Sequence, residues 1–129
     1  MKILVIDDDS SIRAFFKEFL KTERHEIVLA ANGNEARRMI LENGNLDVIV
    51  TDLRMPSETG APIKANEGIE IVRFARLAGR RCRIILMSGD LTDIDATIAQ
   101  AAGADFIIAK PFQIGELRHI LNTVKKNGG

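Results

Sequence analysis

The stretch Asp47-Val48-Ile49-Val50-Thr51-Asp52-Leu53-Arg54-Met55-Pro56 decides how this chain folds. Val48, Ile49 and Val50 are all β-branched and read as a strand buried on both faces. Pro56 can neither join a ladder nor continue a helix interior, so the chain leaves the sheet before it. Asp52 therefore sits where a buried strand opens into a loop. Taken alone, it reads as a turn residue, since Asp is common there. In a parallel α/β sheet, however, the carboxyl ends of strands are also where ligands bind.

The same pattern recurs on both sides of this stretch. Upstream, Lys2-Ile3-Leu4-Val5-Ile6 is an apolar run ending at Asp7-Asp8-Asp9. Asp9 or Ser10 can cap the following helix, whose Ile12, Phe15, Phe16, Phe19 and Leu20 recur at helical spacing. A weaker strand over Ile27 to Ala31 closes on the turn signal Asn32-Gly33. A helix over Asn34 to Asn43 follows, with Ala36, Met39 and Ile40 inward and Gly44 as its stop. Downstream, Glu67 to Ala78 reads as a third helix with Ile69, Val72 and Ala75 inward, stopped by Gly79. Arg83 to Met87 is a fourth strand closing on Ser88-Gly89-Asp90. A fourth helix starts at Thr92, with Asp95 as a capping-box variant, and ends at Gly103. Its inward face of Ile94, Ile98, Ala101 and Ala102 is small, so it is expected to be among the least firmly packed helices. Phe106 to Ala109 is the fifth strand, followed by Lys110-Pro111-Phe112. The last helix turns Leu117, Ile120, Leu121 and Val124 inward and frays at Asn127-Gly128-Gly129.

Strands alternating strictly with helices form a parallel sheet covered on both faces. Right-handed crossovers restrict the winding. The expected fold is α/β: a three-layer, doubly wound, five-stranded parallel sheet of order 2-1-3-4-5, flavodoxin-like, as one domain over residues 1–129. Its switch point lies between strands one and three. There the winding brings Asp7, Asp8 and Asp52 together.

Composition narrows the function. The chain has 129 residues with 18 Lys plus Arg and 18 Asp plus Glu, so its formal net charge is zero. No basic field marks a nucleic-acid binder. No apolar run reaches the length of a membrane span. No targeting signal precedes the first strand, so the expected compartment is the cytoplasm. The one cysteine, Cys82, has no partner for an internal disulfide and is expected to pack at a strand start.

Like charges about 4 Å apart repel by roughly 4 kcal/mol at an effective dielectric near 20. Three clustered carboxylates need a proton or a cation to compensate them. Hard oxygens at a solvent-facing strand end suit Mg²⁺. Asp9 is covered by the capping reading. Ser88 after strand four offers a hydroxyl, and Lys110 after strand five offers a cation. The set matches phosphoryl transfer, in which a metal and a lysine neutralise phosphate charge while a carboxylate attacks.

With these residues in place, the sequence resembles the receiver domain of two-component response regulators over essentially its whole length. The matching pieces are Leu4-Val5-Ile6-Asp7-Asp8, Asp52-Leu53-Arg54-Met55-Pro56, Met87-Ser88-Gly89, Gly103-Ala104-Asp105 and Lys110-Pro111-Phe112. The resemblance implies that Asp52 accepts a phosphoryl group from the phosphohistidine of a sensor histidine kinase or phosphotransfer protein. It implies that Asp7, Asp8, Asp52 and the Arg54 carbonyl hold Mg²⁺, that Ser88 reaches the phosphoryl oxygen, and that Lys110 pairs with it. It also implies a cis Lys110–Pro111 bond. The switched face would be helix four, strand five and helix five. That face would serve a downstream target or an output domain, with the chain a monomer or weak dimer through it.

Three departures stand out. Ile107 occupies the place where the family often has Tyr or Phe. Ser57 to Asn66 reads as an insertion beside Asp52, expected to shape kinase access. Arg54 and Asp90, two residues past Asp52 and Ser88, are expected to pair across the mouth of the site and slow hydrolysis. Two rival readings stay open. One is a pseudo-receiver that binds without phosphorylation. The other is a haloacid-dehalogenase-like phosphatase with Asp7-x-Asp9 as its nucleophile motif. The second leaves Asp52 without a role, and only Gln113, Gly115 and Glu116 follow Lys110 where an acidic pair belongs.

Overall fold

The computed structural model describes residues 1–126. Its elements are β1 (Lys2–Ile6), α1 (Ser10–Thr22), β2 (Glu26–Ala30), α2 (Gly33–Glu42), β3 (Val48–Asp52), α3 (Glu67–Leu77), β4 (Arg83–Ser88), α4 (Ala96–Ala102), β5 (Phe106–Ala109) and α5 (Ile114–Lys126). All neighbouring strands pair in parallel, in the order β2-β1-β3-β4-β5. The register sets Ile6 beside Thr51, Asp52 beside Met87, and Ser88 beside Ala109. The acidic strand ends therefore share one edge of the sheet. Fraying at Asn127-Gly128-Gly129 falls outside the described residues.

The apolar runs are unbroken because both faces of the sheet are covered. Ile3, Val5, Val48, Val50, Ile85 and Met87 point one way and meet Phe16 and Leu20 of α1 and Leu117, Leu121 and Val124 of α5. Leu4, Ile6, Ile49, Ile84 and Leu86 point the other way, onto α2, α3 and α4. Asp47 opens β3 by accepting from the Lys2 amide at 2.8 Å. Asp105 does the same before β5, accepting from the Ile84 amide at 2.9 Å. Cys82 is buried directly before β4, where burial pushes its thiol pKa up.

Two helix boundaries differ from the sequence reading. Gly44 does not stop α2; Asn43 does, its Nδ2 donating to the Met39 carbonyl at 2.8 Å. The fourth helical segment is split. Asp90 caps a single 3-10 turn over Leu91–Asp93, and Asp95 caps α4 separately, accepting from the Thr97 and Ile98 amides. Two aspartates each offer a cap, and the chain uses both. Ala99 is buried, and the expected Ile94 and Ala102 pack partly against the core, whereas Ile98 is 45% exposed and Ala101 lies outside.

What holds α4 is mostly its C-terminal end. The Arg76 guanidinium donates to the carbonyls of Arg80, Cys82 and Gly103 and to the Asp105 carboxylate. Gly103 takes a φ of 121°, a region that favours glycine. Since only Ala99 is buried, the amides of residues 96–102 should exchange with solvent deuterium faster than those of the interior of α5.

The start of α3 presses directly on the end of β3. The Gly68 amide donates to the Leu53 carbonyl at 2.9 Å. A Cβ at Gly68 would lie 2.2 Å from the Asp52 carbonyl oxygen, so backbone would have to move. Gly68→Ala should therefore cost about 1–3 kcal/mol in urea unfolding, despite alanine's better helix propensity.

Candidate functional site

Each polar group at the switch point is placed by a strand end. Asp7 follows the fully buried Ile6 and is itself 0% exposed. Its Oδ1 accepts from the Asp9 amide at 2.9 Å, and its Oδ2 from Lys110 Nζ at 2.8 Å. The Arg13 guanidinium, one turn into α1, donates to the Asp7 carbonyl at 2.7 Å. Asp9 is the α1 cap, accepting from the Ser11 amide, and takes no part in the cluster. Asp8 is exposed at the pocket mouth.

Asp52 ends β3 and is buried. Its Oδ1 accepts from the Leu53 amide at 3.0 Å. Its Oδ2 lies 3.3 Å from Lys110 Nζ. One ammonium thus bridges two carboxylates. Burial, reinforced by the charge of Asp7, pushes the Asp52 pKa up to about 6, while Lys110 and the Leu53 amide pull the other way. Burial alone would lower the Lys110 pKa, but its hydrogen bond to Asp7 and the charges of Asp52 and Asp7 raise it. Lys110 therefore stays charged near neutrality.

Oxygens of Asp7, Asp8 and Asp52 all lie within 4.8 Å of one another. Three acids face one ammonium, and every donor is a hard oxygen. This set fits Mg²⁺, which takes few carboxylates and keeps waters. Arg54 is exposed two residues beyond Asp52, ahead of an antiparallel bridge between Met55 and Lys64.

The remaining sequence expectations meet the structure unevenly. Ser88 is buried beside the cluster, but its hydroxyl donates to the Asp90 carbonyl at 2.8 Å and accepts from the Asp90 amide at 3.2 Å. It is turned into its own loop. The expected Arg54–Asp90 ion pair is not formed. Asp90 Oδ1 instead accepts from the Thr92 amide and hydroxyl, and these bonds hold its pKa below the ordinary value. Ile107 packs on the α2–α3–α4 side, whereas Phe106 belongs to the opposite cluster, so Phe106 does not stand in for an aromatic at that place. The Lys110–Pro111 bond is cis.

Sequence reasoning missed the surroundings of the insertion. Glu67 is 2% exposed and pairs with both terminal nitrogens of Arg37, at 3.1 and 3.3 Å. It also accepts from the Ser57 hydroxyl at 2.7 Å. An acid in the first turn of a helix reads as a dipole partner, so nothing near Glu67 in the chain pointed to Arg37.

Comparison with known proteins places this geometry. The family model "Response regulator receiver domain" matches residues 3–122. The chain is 34% identical over 116 residues to the regulatory protein VirG of Agrobacterium tumefaciens, covering 88% of this chain and 39% of that protein. It spans less than half the length of curated relatives such as this one. Among solved structures, a response regulator receiver domain protein from Clostridium thermocellum superposes with TM-score 0.81 at 30% identity, covering 98% of this chain and 95% of that one. The response regulator protein TrrA of Thermotoga maritima, in complex with Mg²⁺-BeF, superposes with TM-score 0.78 at 31% identity over 95% of this chain and 97% of that one. With the fold, the strand-end acids and the family match in agreement, this chain belongs to the response regulator receiver domain family of two-component systems.

Proposed function

We propose that this domain accepts a phosphoryl group on Asp52 from the phosphohistidine of a sensor histidine kinase or phosphotransfer protein. The observation that carries this reading is the cluster itself: Asp52 within 4.8 Å of Asp7 and Asp8 by their oxygens, with Lys110 at 3.3 Å. Asp7, Asp8, Asp52 and the Arg54 carbonyl would hold Mg²⁺, which when bound would supply charge neutralisation for phosphoryl oxygens. The Mg²⁺-BeF complex of the Thermotoga relative supports that ion.

An ionised Asp52 carboxylate oxygen attacks the phosphorus. The phosphorus–nitrogen bond breaks, and the imidazole keeps its electron pair. Lys110 holds its ammonium beside the new acyl phosphate. Ser88 reaches a phosphoryl oxygen by giving up its bonds to Asp90, which loosens the loop that leads into α4. This couples the site to the α4–β5–α5 face, where a target protein or an output domain would read the change. The reaction is a self-catalysed transfer and hydrolysis within a signalling domain rather than turnover of a free substrate. We place it in the cytoplasm on the receiver-domain reading; separately, no described helix is long and apolar enough to cross a membrane.

The phosphatase alternative needs Asp7 as the nucleophile. Asp7 is 0% exposed and Asp52 8%, so Asp52 is the more accessible of the two, and the phosphatase reading leaves it without a role.

Incubation with Mg²⁺ and acetyl phosphate should add one phosphoryl group by intact-mass spectrometry. Asp52→Asn should abolish the gain. A label found on Asp7 would favour the phosphatase, and an unlabelled wild type the pseudo-receiver.

Ionisation of Asp52 also leaves a signature in the metal-free protein. Its native pKa is raised from 3.8 to about 6, so the native state holds this proton more tightly than the unfolded chain. Its contribution to stability is therefore lost as pH rises through that window. With a chelator present, wild type should lose stability relative to Asp52→Asn between about pH 4 and about pH 7. Allowing for solvent at the pocket mouth, the variant should be about 1–2 kcal/mol more stable at pH 7 by thermal unfolding.

A further inference from the structure

The segment between Asp52 and α3 is tied to the start of α2 at several points. The Gly33 amide donates to the Pro56 carbonyl at 3.0 Å, and the Asn34 amide to the Ser57 carbonyl at 2.7 Å. These are first-turn amides, which have no partner within their own helix. Asn32, the α2 cap, donates to the Thr59 hydroxyl at 3.2 Å. Met55 and Lys64 exchange backbone bonds, closing the insertion on itself.

Glu67 is the keystone of this arrangement. Its carboxylate bonds Ser57 on one side and Arg37 of α2 on the other. A Cβ at Gly33 would lie 2.2 Å from Glu67 Oε2, so any larger residue there would push the carboxylate off its place over the α2 N-terminus. Burial alone would raise the Glu67 pKa, yet the Arg37 and Ser57 bonds hold it below the ordinary range. The anion is thus matched by a guanidinium, a hydroxyl and the positive end of a helix.

We propose that Glu67 is a positioning residue for the phosphoacceptor site. With Ser57 and Arg37 it latches the insertion to α2 and sets where the backbone of residues 53–56 lies against Asp52. This rests on the phosphoacceptor reading, because that backbone includes the Arg54 carbonyl assigned there to Mg²⁺. The latch does not touch the reacting atoms; it acts through the loop. The insertion is thereby a rigid brace beside the site.

The test is Mg²⁺ titration by calorimetry without any donor, together with phosphorylation by acetyl phosphate across Mg²⁺ concentrations. Glu67→Gln and Ser57→Ala should each weaken Mg²⁺ binding, Glu67→Gln by about tenfold. Half-maximal phosphorylation should move to higher Mg²⁺ with the plateau rate kept. A loss of folded protein alone would lower the plateau and leave the half-point in place. Ser57→Thr, which keeps the hydroxyl, should restore binding, and Glu58→Gln on the exposed part of the loop should change nothing. The double variant should be no worse than Glu67→Gln alone. Should Glu67→Gln fail to fold, Ser57→Ala and its Ser57→Thr rescue decide the matter. Wild-type affinity in folded Glu67→Gln and Ser57→Ala would overturn the latch alone. A wild type that binds no Mg²⁺ would overturn the phosphoacceptor reading beneath it.

Discussion

A single ammonium shared by two buried carboxylates sets the terms for the rest of this molecule. Lys110 reaches Asp7 and Asp52 because β5, β1 and β3 end on the same edge of the sheet. That cation favours the ionised form of Asp52 against burial and the charge of Asp7. One ammonium faces the carboxylates of Asp7, Asp8 and Asp52, and burial, reinforced by the charge of Asp7, still raises the Asp52 pKa to about 6. The pocket thus keeps an excess of carboxylate over ammonium.

The scaffold earns this arrangement by being dry on both faces. Side chains of β1, β3 and β4 alternate between two apolar layers, so a one-residue slip would send each side chain into the opposite layer, against helices it does not fit. Register fixes Asp52 next to Met87, and Gly68 presses on the same carbonyl from the α3 side. The Asp52 carboxylate is thus located by close packing as much as by charge.

Much of this was readable from residues alone. The apolar runs located the strands, and Asp7, Asp8, Asp52, Ser88 and Lys110 could be grouped because each follows one. Legibility failed where a side chain had two local choices or a distant partner. Thr92 and Asp95 suggest one capped helix, but Asp90 and Asp95 compete as caps and split it. Asp90 preferred Thr92, two residues away, to Arg54 across the pocket, since a local bond costs less side-chain entropy than a long ion pair. The direction of the Ser88 hydroxyl is a rotamer choice with no trace in spacing. Glu67 bonds groups 10 and 30 residues away, and neither Ser57 nor Arg37 carries a pattern that announces it.

The Arg76 guanidinium has a mechanical corollary. By gathering carbonyls from Arg80, Cys82 and Gly103, it anchors one end of α4 to α3 and to the entry of β4. The opposite end hangs from the Ser88–Asp95 loop, with only Ala99 seated in the core between. A rod fastened this way pivots rather than slides, so its largest excursion falls at the end nearest the pocket.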